Sequence, residues 1–166
     1  MTNRHLCDTI ITERDRKELE KMRICFDMDG TIVDLYGVDG WLEMLTAHDE
    51  TPYAIAKPIT NLSVLARLMN KAQRNGHTLV IVSALAKDST EEYDERVKTA
   101  KLRWLGKHLK SVKFDEICFV PYTYKKNDVN YGNDLLFDDE DRHLNAWTGT
   151  AIHASKMVET LKVMTA

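Results

Sequence analysis

Proline is scarce, at three residues in 166, and cysteine equally so, at three. An odd count, with Cys25 and Cys118 set inside apolar runs, does not read as a disulfide framework; reduced thiols in a cytoplasmic setting are the expectation. Long apolar runs are missing too. No stretch approaches the roughly 18–20 residues of a membrane helix, so no partnership with a membrane is expected. The first 22 residues are charged and lack the apolar centre of a signal peptide. An excess of one charge is also absent: 23 basic residues stand against 26 acidic ones, a formal net charge of −3. That balance leaves no basic footprint for general nucleic-acid binding; nucleic acid enters only as a phosphorylated end held by a local patch.

What is present fits one globular domain. The chain is 43% hydrophobic and 30% charged, and is long enough to bury a core. A charged helix is expected over Thr12 to Lys21, within a leader of residues 1–22, and the folded domain over 23–166. Short apolar runs then alternate with helical periodicity. Arg23 to Phe26, Leu79 to Val82, Glu116 to Val120, Asp134 to Phe137 and Thr150 to His153 read as strands. Thr60 to Asn75, Glu91 to Leu109, Asp141 to Trp147 and Ser155 to Met164 read as helices. Continuous apolar strands alternating with helices predict an α/β fold with a parallel sheet covered on both faces. Residues 34–58, with two glycines, two prolines and a short helical stretch around Trp41 to Ala47, read as an insertion after the first strand.

The strand ends carry the chemistry. The first run ends at Asp27, the second at Ser83 and the fourth at Asp138 and Asp139, while the third leads through Pro121 to Lys125 and Lys126. Open parallel sheets bind ligands beyond the carboxyl ends of their strands, so these side chains are expected to gather at one edge. Crowded carboxylates repel one another unless a cation intervenes, and an all-oxygen set favours Mg²⁺. Such a set suits phosphoryl transfer: a metal and a lysine offset the anionic substrate, and an aspartate can attack phosphorus. In Asp27-Met28-Asp29-Gly30-Thr31, two aspartates can divide the labour between nucleophile and proton donor. The donor must start protonated, with a pKa above the usual value of about 3.9.

The run Ile24 to Asp34 resembles the first motif of haloacid dehalogenase phosphatases. Leu135-Leu136-Phe137-Asp138-Asp139, with Leu144 and Trp147 after it, resembles the fourth motif of their small 5′-nucleotidase-like branch. Ser83 fits the second motif and Lys126 the third, with Lys125 its alternative. The resemblance covers Arg23 to about Lys162. It implies a Rossmannoid three-layer sandwich with a central five-stranded parallel sheet and a minimal cap at about 34–58. It also implies roles. Asp27 is the nucleophile and a metal ligand; Asp29 is the acid/base and offers its carbonyl to the metal. Ser83 binds phosphate and Lys126 neutralises the phosphoaspartate. Asp138 is the side-chain ligand, with Asp139 beside it or bridging through water. Asp29, rather than the threonine of phosphoanhydride-cleaving members, points to a monoester. His143 stands where the branch often has asparagine.

The expected activity is therefore a Mg²⁺-dependent phosphatase acting on a small phosphorylated substrate, a nucleotide or other metabolite. Two alternatives stand beside it: a non-catalytic protein that binds a phosphorylated ligand or a partner, and a 3′-end phosphatase of nucleic acids. Tyr36, Trp41 and Tyr53 either stack on a base or wall the pocket, or pack beneath their own segment, the more ordinary outcome. Asp34 reads as a helix cap. Trp104, Trp147, Cys25 and Cys118 read as core, and His77, His108 and His153 as structural or exposed.

Overall fold

Five strands lie side by side, every neighbouring pair parallel, in the order β5-β4-β1-β6-β7. They are β1 (Arg23–Phe26), β4 (Thr78–Ala84), β5 (Glu116–Val120), β6 (Leu135–Asp138) and β7 (Thr150–His153). The computed structural model describes residues 21–166, so the leader helix expected over Thr12 to Lys21 lies, apart from its last residue, outside the described residues. The three central strands are apolar at nearly every position because both their faces are covered. β5 is an edge strand, and its half-buried pattern leaves Ile117 36% exposed and Cys118 only partly covered.

Alternation along the strands divides the core in two. Ile24, Phe26, Leu79, Ile81, Leu135 and Phe137 face one way, against Leu65, Leu68 and Met69, Trp104 and Leu105, and Met157 and Leu161. Those partners belong to three helices, which here become α3 (Leu62–Arg74), α4 (Glu91–His108) and α6 (Met157–Met164). Cys25, Val80, Val82 and Leu136 face the other way, against Trp147 and Val120. Trp147 follows the short helix α5 (Asp141–Ala146) and donates its indole N–H to the carbonyl of Asp134. Both central tryptophans are thus core residues.

Helix ends follow local chemistry. Asn61 caps α3 by accepting the N–H of Val64, and Thr90 caps α4 by accepting that of Tyr93. Gly76, at φ +98, takes the left-handed turn that ends α3. His77 is structural: its Nδ1 accepts the N–H of Met22. His108 packs on Trp104, and His153 is exposed.

The segment after β1 is more ordered than its composition suggests. β2 (Val33–Asp34) pairs antiparallel with β3 (Lys57–Pro58), closing residues 35–56 into a loop. Within it lie a 3-10 turn capped by Asp34, then α1 (Trp41–Thr46) and α2 (Thr51–Ile55). A separate cluster of Leu35, Tyr53, Leu85, Tyr93 and Val97 seats this segment on the first half of α4.

Leu65 is fully buried between α3 and the sheet. Leu65→Ala should lower unfolding stability by about 2–5 kcal/mol in urea, with the slope of the transition unchanged. A loss below about 1 kcal/mol would show that this face is loosely packed.

Candidate active site

Asp27, Asp29, Ser83, Lys126, Asp138 and Asp139 come together at the carboxyl edge of the sheet, and Lys125 does not. Asp27 leaves β1 with its N–H donated to the carbonyl of Phe137, which locks the first loop to β6. Gly30 then turns the chain at φ +87. A Cβ there would collide with the Asp139 carboxylate, so glycine is required both for the turn and for the close approach of the two loops. The hydroxyl of Thr31 donates to Asp27 Oδ2 at 2.9 Å.

Of the two adjacent lysines, Lys126 enters the site and Lys125 stays exposed. The Lys126 ammonium, 3% exposed, donates to Asp27 Oδ1 and to Asp138 Oδ2, both at 2.6 Å. Burial alone would depress its pKa, but the two carboxylates outweigh that and raise it. Asp138 also accepts the N–H of Glu140 at 2.9 Å. Asp27, Asp138 and Asp139 each place a carboxylate oxygen within 4.8 Å of the others. The Oδ1 of Asp139 is buried with no hydrogen-bond partner among the described residues.

This donor set fits a divalent metal ion. It is all oxygen, it holds an unsatisfied buried acceptor, and its acids resist ionising together. Burial, and next the charge of Asp27, push Asp138 up to about 6 and Asp139 up to about 8. A bound cation opposes both effects.

Asp29 has a different environment. Its carboxylate accepts from Lys101 at 2.7 Å, and the same ammonium donates to Ser83 Oγ at 2.7 Å and to the carbonyl of Ala84 at 2.8 Å. Lys101 is 1% exposed and lies 4.8 Å from the centre of the Tyr53 ring. Burial raises the Asp29 pKa, with Lys101 opposing the shift and Asp27 adding to it. The charged sequence of α4 conceals Lys101. The signal that could have found it is phase: it shares the buried stripe of Tyr93, Val97, Trp104 and Leu105.

A cavity of about 330 Å³ opens from Asp27 and Asp29 toward residues 34–58. Tyr36 and Trp41 form part of its wall, edge to face at 4.9 Å, and Leu42 and Leu45 extend the apolar surface. Tyr36 and Trp41 are thus on the cavity, while Tyr53, 4% exposed, packs beneath the segment as well as lining it. Tyr122, Glu140 and Arg142 also line the cavity.

A Rossmannoid parallel sheet with a buried acidic cluster at its carboxyl edge is consistent with haloacid-dehalogenase-like hydrolases in general, and does not select a branch. No protein-family model matches the chain, and comparison with curated proteins gives no match. Among the described residues no helix is long and apolar enough to cross a membrane.

Two predictions test this geometry. Lys101→Met strands the buried Asp29 carboxylate and should cost about 3–5 kcal/mol of unfolding stability. Adding Asp29→Asn should restore part of it; a single-variant cost under about 1 kcal/mol would mean the pair is not closed in solution. His143 is 8% exposed, and its Nε2 lies 3.8 Å from Glu140, beyond hydrogen-bond reach. Burial, then Lys126, pushes its pKa down to about 4. Between the unfolded value near 6.5 and about 4 the unfolded chain binds a proton that the fold refuses. Stability from this residue is therefore complete above about 6.5 and falls as pH drops, by up to about 1.4 kcal/mol per unit. Urea unfolding from pH 7.5 to 4.5 should show a shallower fall in His143→Asn than in the parent; identical slopes would refute it.

Proposed function

We propose that the protein is a Mg²⁺-dependent phosphate-monoester hydrolase that works through an aspartyl-phosphate on Asp27. The observation that carries this reading is the pair of aspartates two residues apart with opposite surroundings. Asp27 is bonded to Lys126 and grouped with Asp138 and Asp139, while Asp29 is held apart by Lys101. One is equipped to attack phosphorus, the other to carry a proton.

In the first step a carboxylate oxygen of Asp27 forms a bond to phosphorus as the bond to the leaving oxygen breaks. Asp29, its pKa raised by burial, gives that oxygen its proton. In the second step Asp29 takes a proton from water, the water oxygen bonds to phosphorus, and the Asp27 carboxylate leaves, completing inorganic phosphate. Ser83 and Lys126 hold the phosphoryl oxygens as their charge changes. Asp27, Asp138 and Asp139, with the Asp29 carbonyl, would hold Mg²⁺, which when bound supplies charge neutralisation for the phosphoryl group.

The aromatic and apolar wall of Tyr36, Trp41, Leu42 and Leu45 suits the leaving group, and residues 34–58 act as a small cap. A nucleotide or another small phosphorylated metabolite fits that wall, and the open mouth of the cavity does not require a large cap domain. Cys25 is a free thiol, fully buried and pushed up to about 12 by its burial, which removes it as a nucleophile and fits a reducing, cytoplasmic setting.

The test is a phosphatase panel of nucleotides, sugar phosphates and 3′-phosphorylated oligonucleotides with Mg²⁺ and with a chelator. Turnover should require the cation. Asp27→Asn should lower kcat by roughly a thousandfold or more while the unfolding transition stays cooperative. Near-parental turnover in that variant would remove Asp27 as nucleophile, and no turnover of any phosphate by the parent would leave only a binding protein.

A further inference from the structure

Arg142 lines the same cavity and, among the described residues, bonds to none of the four buried aspartates. Its Nε donates to Glu140 Oε2 at 2.5 Å. Its guanidinium carbon lies 4.7 Å from the centre of the Tyr122 ring. Among the described residues, neither of its terminal nitrogens donates to any group, and its side chain is 44% exposed. Glu140 therefore holds the guanidinium through the one nitrogen that a two-pronged anion does not need. Tyr122 covers a face of the plane and leaves the outer fork open.

That arrangement is directional. A guanidinium fork matches the two oxygens of a phosphate, and a fork already oriented by a carboxylate and an aromatic ring loses less freedom on binding than a loose side chain. Its position is tied to the reacting end of the cavity as well, because the N–H of Glu140 is bonded to Asp138 Oδ1 at 2.9 Å. The other cations near the site are differently placed. Lys101 and Lys126 are spent on carboxylates. Lys87 lines the cavity with no hydrogen-bond partner among the described residues to fix it, so it adds attraction without direction.

We propose that Arg142 is a specificity subsite for a second phosphate carried by the leaving group, so that the preferred substrate is a phosphate monoester bearing another phosphate. The proposal rests on the phosphatase reading for its chemistry, with Asp27 and Arg142 lining one cavity of about 330 Å³ that a single ligand can share. The second phosphate has two sources of the same chemistry: a further monoester, as in a nucleoside bisphosphate, or a phosphodiester, as in a short oligonucleotide with a terminal phosphate.

The experiment compares three probes: a nucleoside 5′-monophosphate, the 3′,5′-bisphosphate of the same nucleoside, and the dinucleotide with a 5′-terminal phosphate. Affinities are measured by calorimetry on the full chain carrying Asp27→Asn, with Mg²⁺ present, and kcat/KM is measured on the parent. The bisphosphate should bind at least about tenfold tighter than the monophosphate, the range of one charge-assisted fork. Arg142→Met should bring that ratio to within about twofold of one. Arg142→Lys, which keeps the charge and loses the fork, should retain only a minor part of the preference. Tight binding of the dinucleotide as well assigns the anion to a phosphodiester, and its absence to a monoester; either supports the subsite. A ratio near one in the Asp27→Asn parent, a ratio unmoved by Arg142→Met, or a full preference in Arg142→Lys overturns it. If the parent hydrolyses none of the probes, the phosphatase reading fails, while the binding ratio still decides the subsite.

Discussion

Buried negative charge is the constraint around which this protein is organised. Asp27, Asp29, Asp138 and Asp139 converge at one edge of the sheet, and like charges at such separations cannot all ionise in a dry site without counter-charge. The chain supplies two ammonium groups, from opposite directions. Lys126 arrives from the turn after β5 and ties Asp27 to Asp138; Lys101 arrives from the middle of α4 and ties Asp29 to Ser83. The group of Asp27, Asp138 and Asp139 holds three carboxyl groups against the single ammonium of Lys126, a crowding that a divalent cation would relieve.

The division of the two lysines also separates two kinds of carboxylate. The oxygens around Lys126 share one compact space and fit a hard cation. Asp29 is pulled toward β4 and α4, away from that group. An ion pair this deeply buried contributes little net stability relative to an apolar replacement, since desolvation costs about as much as the attraction returns. Its value here is placement. It fixes where each carboxylate points through bonds the fold itself supplies.

Much of this was legible in the sequence, for identifiable reasons. The strands announced themselves because a parallel sheet covered on both faces needs unbroken apolar runs, and Asp27, Ser83 and Asp138 stood out because each interrupts such a run at its end. Composition could not separate Lys125 from Lys126. The choice is made by the 3-10 turn that begins at Lys126 and directs only that side chain inward. Lys101 stayed hidden because α4 is charged on nearly every turn and carries only a weak apolar stripe. β2 and β3 were invisible because two residues have no periodicity, and their pairing comes from the closure of the loop between them. Arg142 gave no signal of its own, since Tyr122 and Glu140 orient it from 20 and 2 residues away.

The least conspicuous element, α4, turns out to join the separate parts of the site. Its first half anchors residues 34–58: the Tyr93 hydroxyl donates to the carbonyl of Asp49, and Arg96 bonds the carbonyl of His48 and the carboxylate of Glu50. Its middle supplies Lys101 to Asp29, and Trp104, one turn on, donates to the carbonyl of Ala56. The far wall of the segment meets the loop after β4 where His48 contacts the carbonyl of Asp88 at 3.0 Å. Both of those residues hold the left-handed conformation, at φ 56 and φ 52, uncommon outside glycine though His and Asp adopt it more readily than most residues. An 18-residue helix thus carries both the anchors of the segment that walls the cavity and the ammonium bonded to Asp29. Residues 34–58 and the Asp29 carboxylate are both held by side chains of the same helix.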